Sequence, residues 1–100
     1  MPIASVIVTY RKGPGPERER NLVAAIERMA LLPEHEVIVI EQDTASTLAS
    51  IALPDNVHHV FAYNPASFNK CWGLNLGARQ SRAPWFCFWD ADILLTTSAQ

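Results

Sequence analysis

Charge is scarce in this sequence of 100 residues: eight Lys and Arg against ten Asp and Glu leave a formal net charge of -2. No broad basic field can form, which excludes an electrostatic nucleic-acid or anionic-membrane surface, so an anionic ligand has to be held locally. Cysteine is nearly absent. Cys71 and Cys87 make no CxxC pair, have no His at metal-ligand spacing and sit among apolar or aromatic neighbours, which predicts ordinary buried thiols in a reducing compartment. Long apolar runs are missing as well, the longest falling far short of the roughly 20 residues that span a bilayer. The first strand-like run starts within a few residues of Met1, leaving no room for the charged and hydrophobic regions of a signal peptide. A soluble, cytoplasmic domain is expected. There is no internal repeat, low-complexity tract or linker.

What is present is a globular composition, 49% apolar, arranged as alternating strand-like and helix-like segments. Ile3 to Tyr10 is rich in β-branched residues with little alternation, as in a strand covered on both faces. Gly13-Pro14-Gly15-Pro16 breaks the chain, and Pro16 with Glu17 and Glu19 opens a helix in which Leu22, Ile26 and Met29 share a face and Pro33 lies just beyond the end. Val37 to Ile40 reads as a second buried strand bounded by Glu36 and by Glu41-Gln42-Asp43. Thr44 is placed to cap a weak helical turn over Leu48 to Leu53, and Val57 to Tyr63 is a poorer, edge-like strand interrupted by His58-His59, which read as solvent-facing or locally paired. Asn64-Pro65 turns the chain, Ser67 is a candidate cap, and a helix carries Phe68, Trp72, Leu76 and Ala78 near one face before Arg79 and Arg82. Trp85 to Trp89 is a fourth, intensely hydrophobic strand that runs into Asp90-Ala91-Asp92.

Right-handed crossovers between such elements predict an α/β fold: a mostly parallel sheet with helices on both faces and strand order 3-2-1-4. That order reverses between the first and fourth strands, and open α/β sheets bind ligands at the carboxyl ends of strands beside such a reversal. Thr9, Tyr10, Glu41, Asp43, Asp90 and Asp92 all fall at strand ends of that kind.

Two carboxylates one residue apart, directly after an apolar strand, are costly unless compensated. Mg²⁺ or Mn²⁺ is the obvious partner, because hard divalent ions bind through one or two protein carboxylates together with substrate phosphates. An ion held there would bridge a diphosphate and stabilise the charge growing on the leaving group. The same spacing also suits an ordinary loop start with two capping aspartates.

The block from Phe68 to Asp92 resembles GT-A glycosyltransferases of the family 2 type, in which a helix with Asn-x-Gly, a short basic turn and an apolar strand precede Asp-x-Asp. Asn75-Leu76-Gly77 and Asp90-Ala91-Asp92 match those elements, and Phe68-Asn69-Lys70 is similar to a Phe-Asn-Arg segment of galactosyltransferase-like members. Ser5 to Tyr10 and Glu36 to Glu41 are similar to the family's first two strands, so the resemblance covers nearly the whole chain. It departs at Val8-Thr9-Tyr10-Arg11, where Pro-Thr-Tyr-Asn is usual, and at Glu41-Gln42-Asp43-Thr44, where Asp-Asp-Gly-Ser is usual. The resemblance implies that residues 1–100 form one nucleotide-diphospho-sugar-binding domain, short of a full enzyme because the acceptor site, catalytic base and further metal ligand would follow Asp92. It further implies a UDP-sugar as the default donor, a sugar or glycan acceptor in the parent protein, and self-association through the edge where the remaining half would dock. Thr9 and Tyr10 would line the base pocket; Glu41, with Asp43 beside it, would meet the base or ribose. Asp90 would face the ribose or metal, Asp92 would ligate the metal, and Lys70, Asn75 and Arg79 would stand on the donor side.

Two other readings stay open. Haloacid-dehalogenase-like phosphatases also end an apolar strand in Asp-x-Asp, although there it is the first strand and further acids follow. A nucleotide-binding or assembly module with a purely structural Asp pair is the non-enzymatic reading. Gly73 and Gly77, one helical turn apart, suit close helix-to-sheet packing as well as ligand approach, and Arg11-Lys12 suits a solvated loop better than a phosphate clamp.

Overall fold

A computed structural model of the chain describes residues 2–32 and 34–90. Its elements are β1 (Ala4–Tyr10), α1 (Glu17–Met29), β2 (His35–Asp43), a single 3-10 turn (Leu48–Ser50), β3 (Val57–Tyr63), α2 (Lys70–Gln80) and β4 (Trp85–Asp90). The four strands are all parallel and lie in the order β3-β2-β1-β4. No helix among the described residues is long and apolar enough to cross a membrane.

The absence of alternation in β1 and β2 follows from two cores. On one face Val6, Val8, Tyr10, Val37 and Val39 pack against Leu22, Ala25, Ile26 and Met29 of α1, with Leu48 and Val57 completing the cluster. On the other face Ile7, Ile38, Ile40 and Ala62 meet Leu74, Leu76 and Ala78 of α2. Each strand residue is therefore covered whichever way it points.

α2 approaches the sheet through glycine. Its only buried residues are Gly73 and Gly77. A Cβ on Gly73 would collide with Thr9 Oγ1 and the Gln42 side chain, and one on Gly77 with the Cγ2 of Ile7, so the packing role is the one this helix uses. The anticipated stripe shifts accordingly. Phe68 precedes the helix and Trp72 is exposed, while Leu74, Leu76 and Ala78 flank the glycine ridge.

Three local expectations are corrected. Asn69, not Ser67, caps α2: its side chain accepts from Trp72 N at 3.0 Å, the reach a cap needs to satisfy an otherwise orphan amide. Thr44 caps nothing, since its amide turns back to Asp43 Oδ1 (2.8 Å), and Ser46 accepts from Ala49 N (3.1 Å) at the start of a turn that ends at Ser50. β2 extends beyond Val37 to Ile40 on both sides because Glu36, Glu41 and Gln42, although polar, find partners inside the fold. His58 and His59 are both paired with carboxylates, as the local-pairing reading has it.

β4 is the least covered strand. α2 lies over β1 and β2, leaving Phe86 49% and Phe88 50% exposed on its face of β4; on the α1 face Trp89 packs against the core while Trp85 is 72% exposed. Cys71 and Cys87 are free and exposed, which overturns the expectation of buried thiols. Apolar neighbours along the chain did not bury Cys87, because burial depends on what covers the strand.

Candidate functional site

The strand order brings the carboxyl ends of β1 and β4 together at the reversal, with Thr9 in register with Asp90. α2 begins at this end of the sheet. Lys70 is its first residue and is exposed, while Arg79 lies near its last turn, about 13 Å further along the axis at 1.5 Å per residue. The structure therefore brings Thr9, Lys70 and the backbone of Asp90 to one edge and carries Arg79 towards the other. Asn75 projects from the exposed side of α2, opposite the glycine ridge. Ala91 and Asp92 lie outside the described residues. Between β1 and α1, Lys12, Pro14, Gly15, Pro16 and Glu19 line a hollow of about 300 Å³ on the same side of the sheet.

Thr9, Tyr10 and Glu41 face inward. Thr9 is 6% exposed, and its Oγ1 donates to the Ile40 carbonyl (3.3 Å) while accepting from Gln42 Nε2 (3.0 Å). Tyr10 is buried on the α1 side and its hydroxyl has no hydrogen-bond partner. Burial, reinforced by the negative charges of Glu19, Glu41 and Asp43, pushes its pKa up to about 12, so the phenol remains a neutral donor at ordinary pH.

Glu41 has no exposed surface, and both its oxygens are engaged. Oε1 accepts from Ser46 Oγ (2.6 Å) and pairs with His59 Nε2 (2.8 Å), and Oε2 accepts from Thr47 N (2.8 Å) and Thr47 Oγ1 (3.0 Å). Burial alone would raise its pKa, but the bonds from Ser46, Thr47 and His59 outweigh burial and hold the carboxyl below the usual range. The carboxylate thereby closes the loop after β2. Asp43 is half-buried and accepts from the next residue's amide.

Two residues organise this end of the sheet: Gln42, which the sequence does not single out, and Arg11, which in sequence reads as a solvated loop residue. Gln42 is fully buried and uses its whole amide: Oε1 accepts from Asn64 Nδ2 (3.0 Å) and Asn69 N (3.1 Å), and Nε2 donates to Thr9 Oγ1 (3.0 Å) and the Asn69 carbonyl (2.7 Å). Arg11 is neither solvated nor left to neutralise phosphate. Its guanidinium donates to the carbonyls of Gln42 (2.9 Å), Ala66 (2.6 Å) and Asn64 (2.7 Å), tying the β1 exit to the β3–α2 loop. The five-donor fork of arginine suits three carbonyls in a way lysine cannot match. The one sequence signal for Gln42 was an amide set between two acids just beyond an apolar strand.

Among the described residues no group of three or more His, Cys, Asp or Glu side chains could hold a metal ion. A cation at this edge would rest on Asp90 and Asp92, with the remaining ligands drawn from phosphate and water, the way Mg²⁺ and Mn²⁺ are usually held. Comparison with protein-family models and with curated proteins gives no match for this chain.

Proposed function

We propose that this chain is the nucleotide-sugar-binding half of a metal-dependent glycosyltransferase. The observation that carries the reading is the position of Asp90, last residue of β4, in register with Thr9 where the strand order reverses. An Asp-x-Asp that starts there extends from the place where open α/β sheets bind their ligands. In this reading Asp90 and Asp92 hold Mn²⁺ or Mg²⁺ against the diphosphate of a nucleoside diphosphate sugar, UDP-sugar being the default donor. Thr9 and Gln42 set the floor beneath α2, Lys70 stands at the helix end beside them, and the neutral Tyr10 hydroxyl is a donor held in reserve. The metal, when bound, supplies charge stabilisation to the leaving diphosphate. Sugar transfer to a sugar or glycan acceptor belongs to the parent protein.

A second reading, a nucleotide-binding or assembly module without catalysis, draws on a different observation. Thr9, Tyr10 and Glu41 are each at least nine-tenths buried, and Glu41 is wholly engaged inside the protein. Calorimetric titration with uridine diphosphate, with and without Mn²⁺, separates the two readings. Manganese-dependent binding that disappears in Asp92→Ala is the outcome expected for the donor site. Binding that neither needs Mn²⁺ nor is lost in Asp92→Ala favours the nucleotide-binding module, and a folded chain that binds no diphosphate under either condition favours the assembly module.

A further inference from the structure

At the amino-terminal edge of the sheet, about 20 Å from the crevice by the length of a seven-residue strand, lies a cavity of about 480 Å³ lined in part by Glu34, Glu36, Asp55, Asn56, His58 and Arg82. Glu36 is the member that sets its chemistry. Its side chain is buried, and one oxygen is well served: Oε2 accepts from Ser5 Oγ (2.5 Å) and from Arg82 N (2.9 Å). The other oxygen is not. Oε1 is buried and accepts no hydrogen bond, with His58 Nε2 at 3.4 Å and Arg82 Nε at 3.5 Å standing at ion-pair distance only.

Burial by itself would raise the Glu36 pKa. The bonds from Ser5 and Arg82 and the charges of Arg82 and His58 more than offset it, so the group is ionised at neutral pH. An ionised, buried oxygen short of a donor is expensive to maintain. The two groups above it are not locked in place, because the side chains of Arg82 and His58 are 66% and 43% exposed. A donor entering from the cavity can reach Oε1 by moving either of them, while the Arg82 amide keeps Oε2.

We propose that this cavity binds a small molecule carrying a primary ammonium group, which donates to Glu36 Oε1. Charge selects this class. The named lining residues hold three carboxylates, of which Glu34 and Asp55 are exposed at the mouth, against the Arg82 guanidinium and the His58 imidazole, both of which already stand beside Glu36. A neutral polyol could serve Oε1 but would gain no attraction from Glu34 and Asp55, and an anion would meet all three acids. A divalent ion lacks a cage, since no group of three metal-ligating side chains occurs among the described residues. The volume falls within the roughly 300–1,000 Å³ typical of small-molecule sites.

The test is an amide NMR titration of the whole chain with 1,4-diaminobutane, run beside 1,4-butanediol and sodium chloride at matched ionic strength. Saturable shifts at Glu36, Asn56, His58 and Arg82, with Thr9 and Gln42 unmoved and no such response to the diol or the salt, are expected. Glu36→Gln abolishes them if it folds. The double variant Glu34→Gln with Asp55→Asn touches exposed side chains only and keeps the question open to refutation in any case. It should weaken binding about fivefold, the combined worth of two surface charges. Shifts that do not saturate, that the diol or sodium reproduces, or that persist unweakened in the double variant overturn the proposal.

Discussion

Glu36 and Glu41 stand near opposite ends of the same buried strand, and each faces one of the adjacent histidines of β3, yet they are finished differently. Glu41, with His59 at 2.8 Å, has both oxygens filled by donors from its own loop and from β3. Glu36, with His58 at 3.4 Å, has one oxygen filled and one without a bond, and it lines a cavity. Adjacent histidines point to opposite faces of β3, so each can serve only the carboxylate on its own side. The lesson is that burial does not separate a structural carboxylate from one with capacity to spare. Hydrogen-bond saturation does. A saturated carboxylate holds a loop, and an unsaturated one beside a cavity can take a ligand.

The comparison breaks most visibly if the two acids are removed in turn. Glu41→Ala orphans Ser46, Thr47 and His59 in the interior and should cost about 3–5 kcal/mol in urea unfolding, the range for breaking a buried pair. Glu36→Ala should cost less, about 1–3 kcal/mol, because one of its oxygens makes no bond to lose. Equal losses would show that saturation is not the distinction.

Acid sharpens the contrast with a gentler perturbation. Both carboxyls are held below the ordinary value of 4.5, so the unfolded chain binds these protons more tightly than the folded one. Their stabilisation is complete above about pH 4.5 and is lost as the pH falls through the folded values. Unfolding free energy measured across that interval should fall in the wild type and fall less in Glu41→Gln. A pH dependence that is the same in both would remove Glu41 from the account.

The smallest effects come from the histidines. His59, 16% exposed at its side chain, should cost about 1–2 kcal/mol on substitution by Ala, whereas His58→Ala should stay within about 0.5 kcal/mol. A reversal of that order in thermal melts would contradict the geometry.

The crossover pattern and strand order were legible because β1 and β2 are apolar without alternation and the first helix carries its own stop signal at Pro33. The end of β4 at the strand reversal was legible for the same reason. The side-chain content of that edge was not. The resemblance implied a base or ribose contact for Glu41, and nothing local announced that Ser46, Thr47 and His59, up to 18 residues away, would enclose it. Arg11 looked like a solvated loop residue because its three carbonyl partners lie 31 to 55 residues further along the chain. Ser67 was the cap expected from sequence, and only the final turn geometry moved that role two residues on to Asn69.

By itself the sequence determined that strands and helices alternate and that the sheet is parallel in the order β3-β2-β1-β4. These follow from periodicity, chain breaks and side-chain size, which are properties of neighbours along the chain. The tertiary structure decided which polar residues are finished and which are not: Gln42 saturated, Glu41 enclosed, Glu36 left with an unbonded oxygen, and Cys87 uncovered on β4. Those outcomes depend on donors and covering surfaces brought together from distant parts of the chain, and a hydrogen bond is decided by tenths of an ångström that no spacing in the sequence encodes.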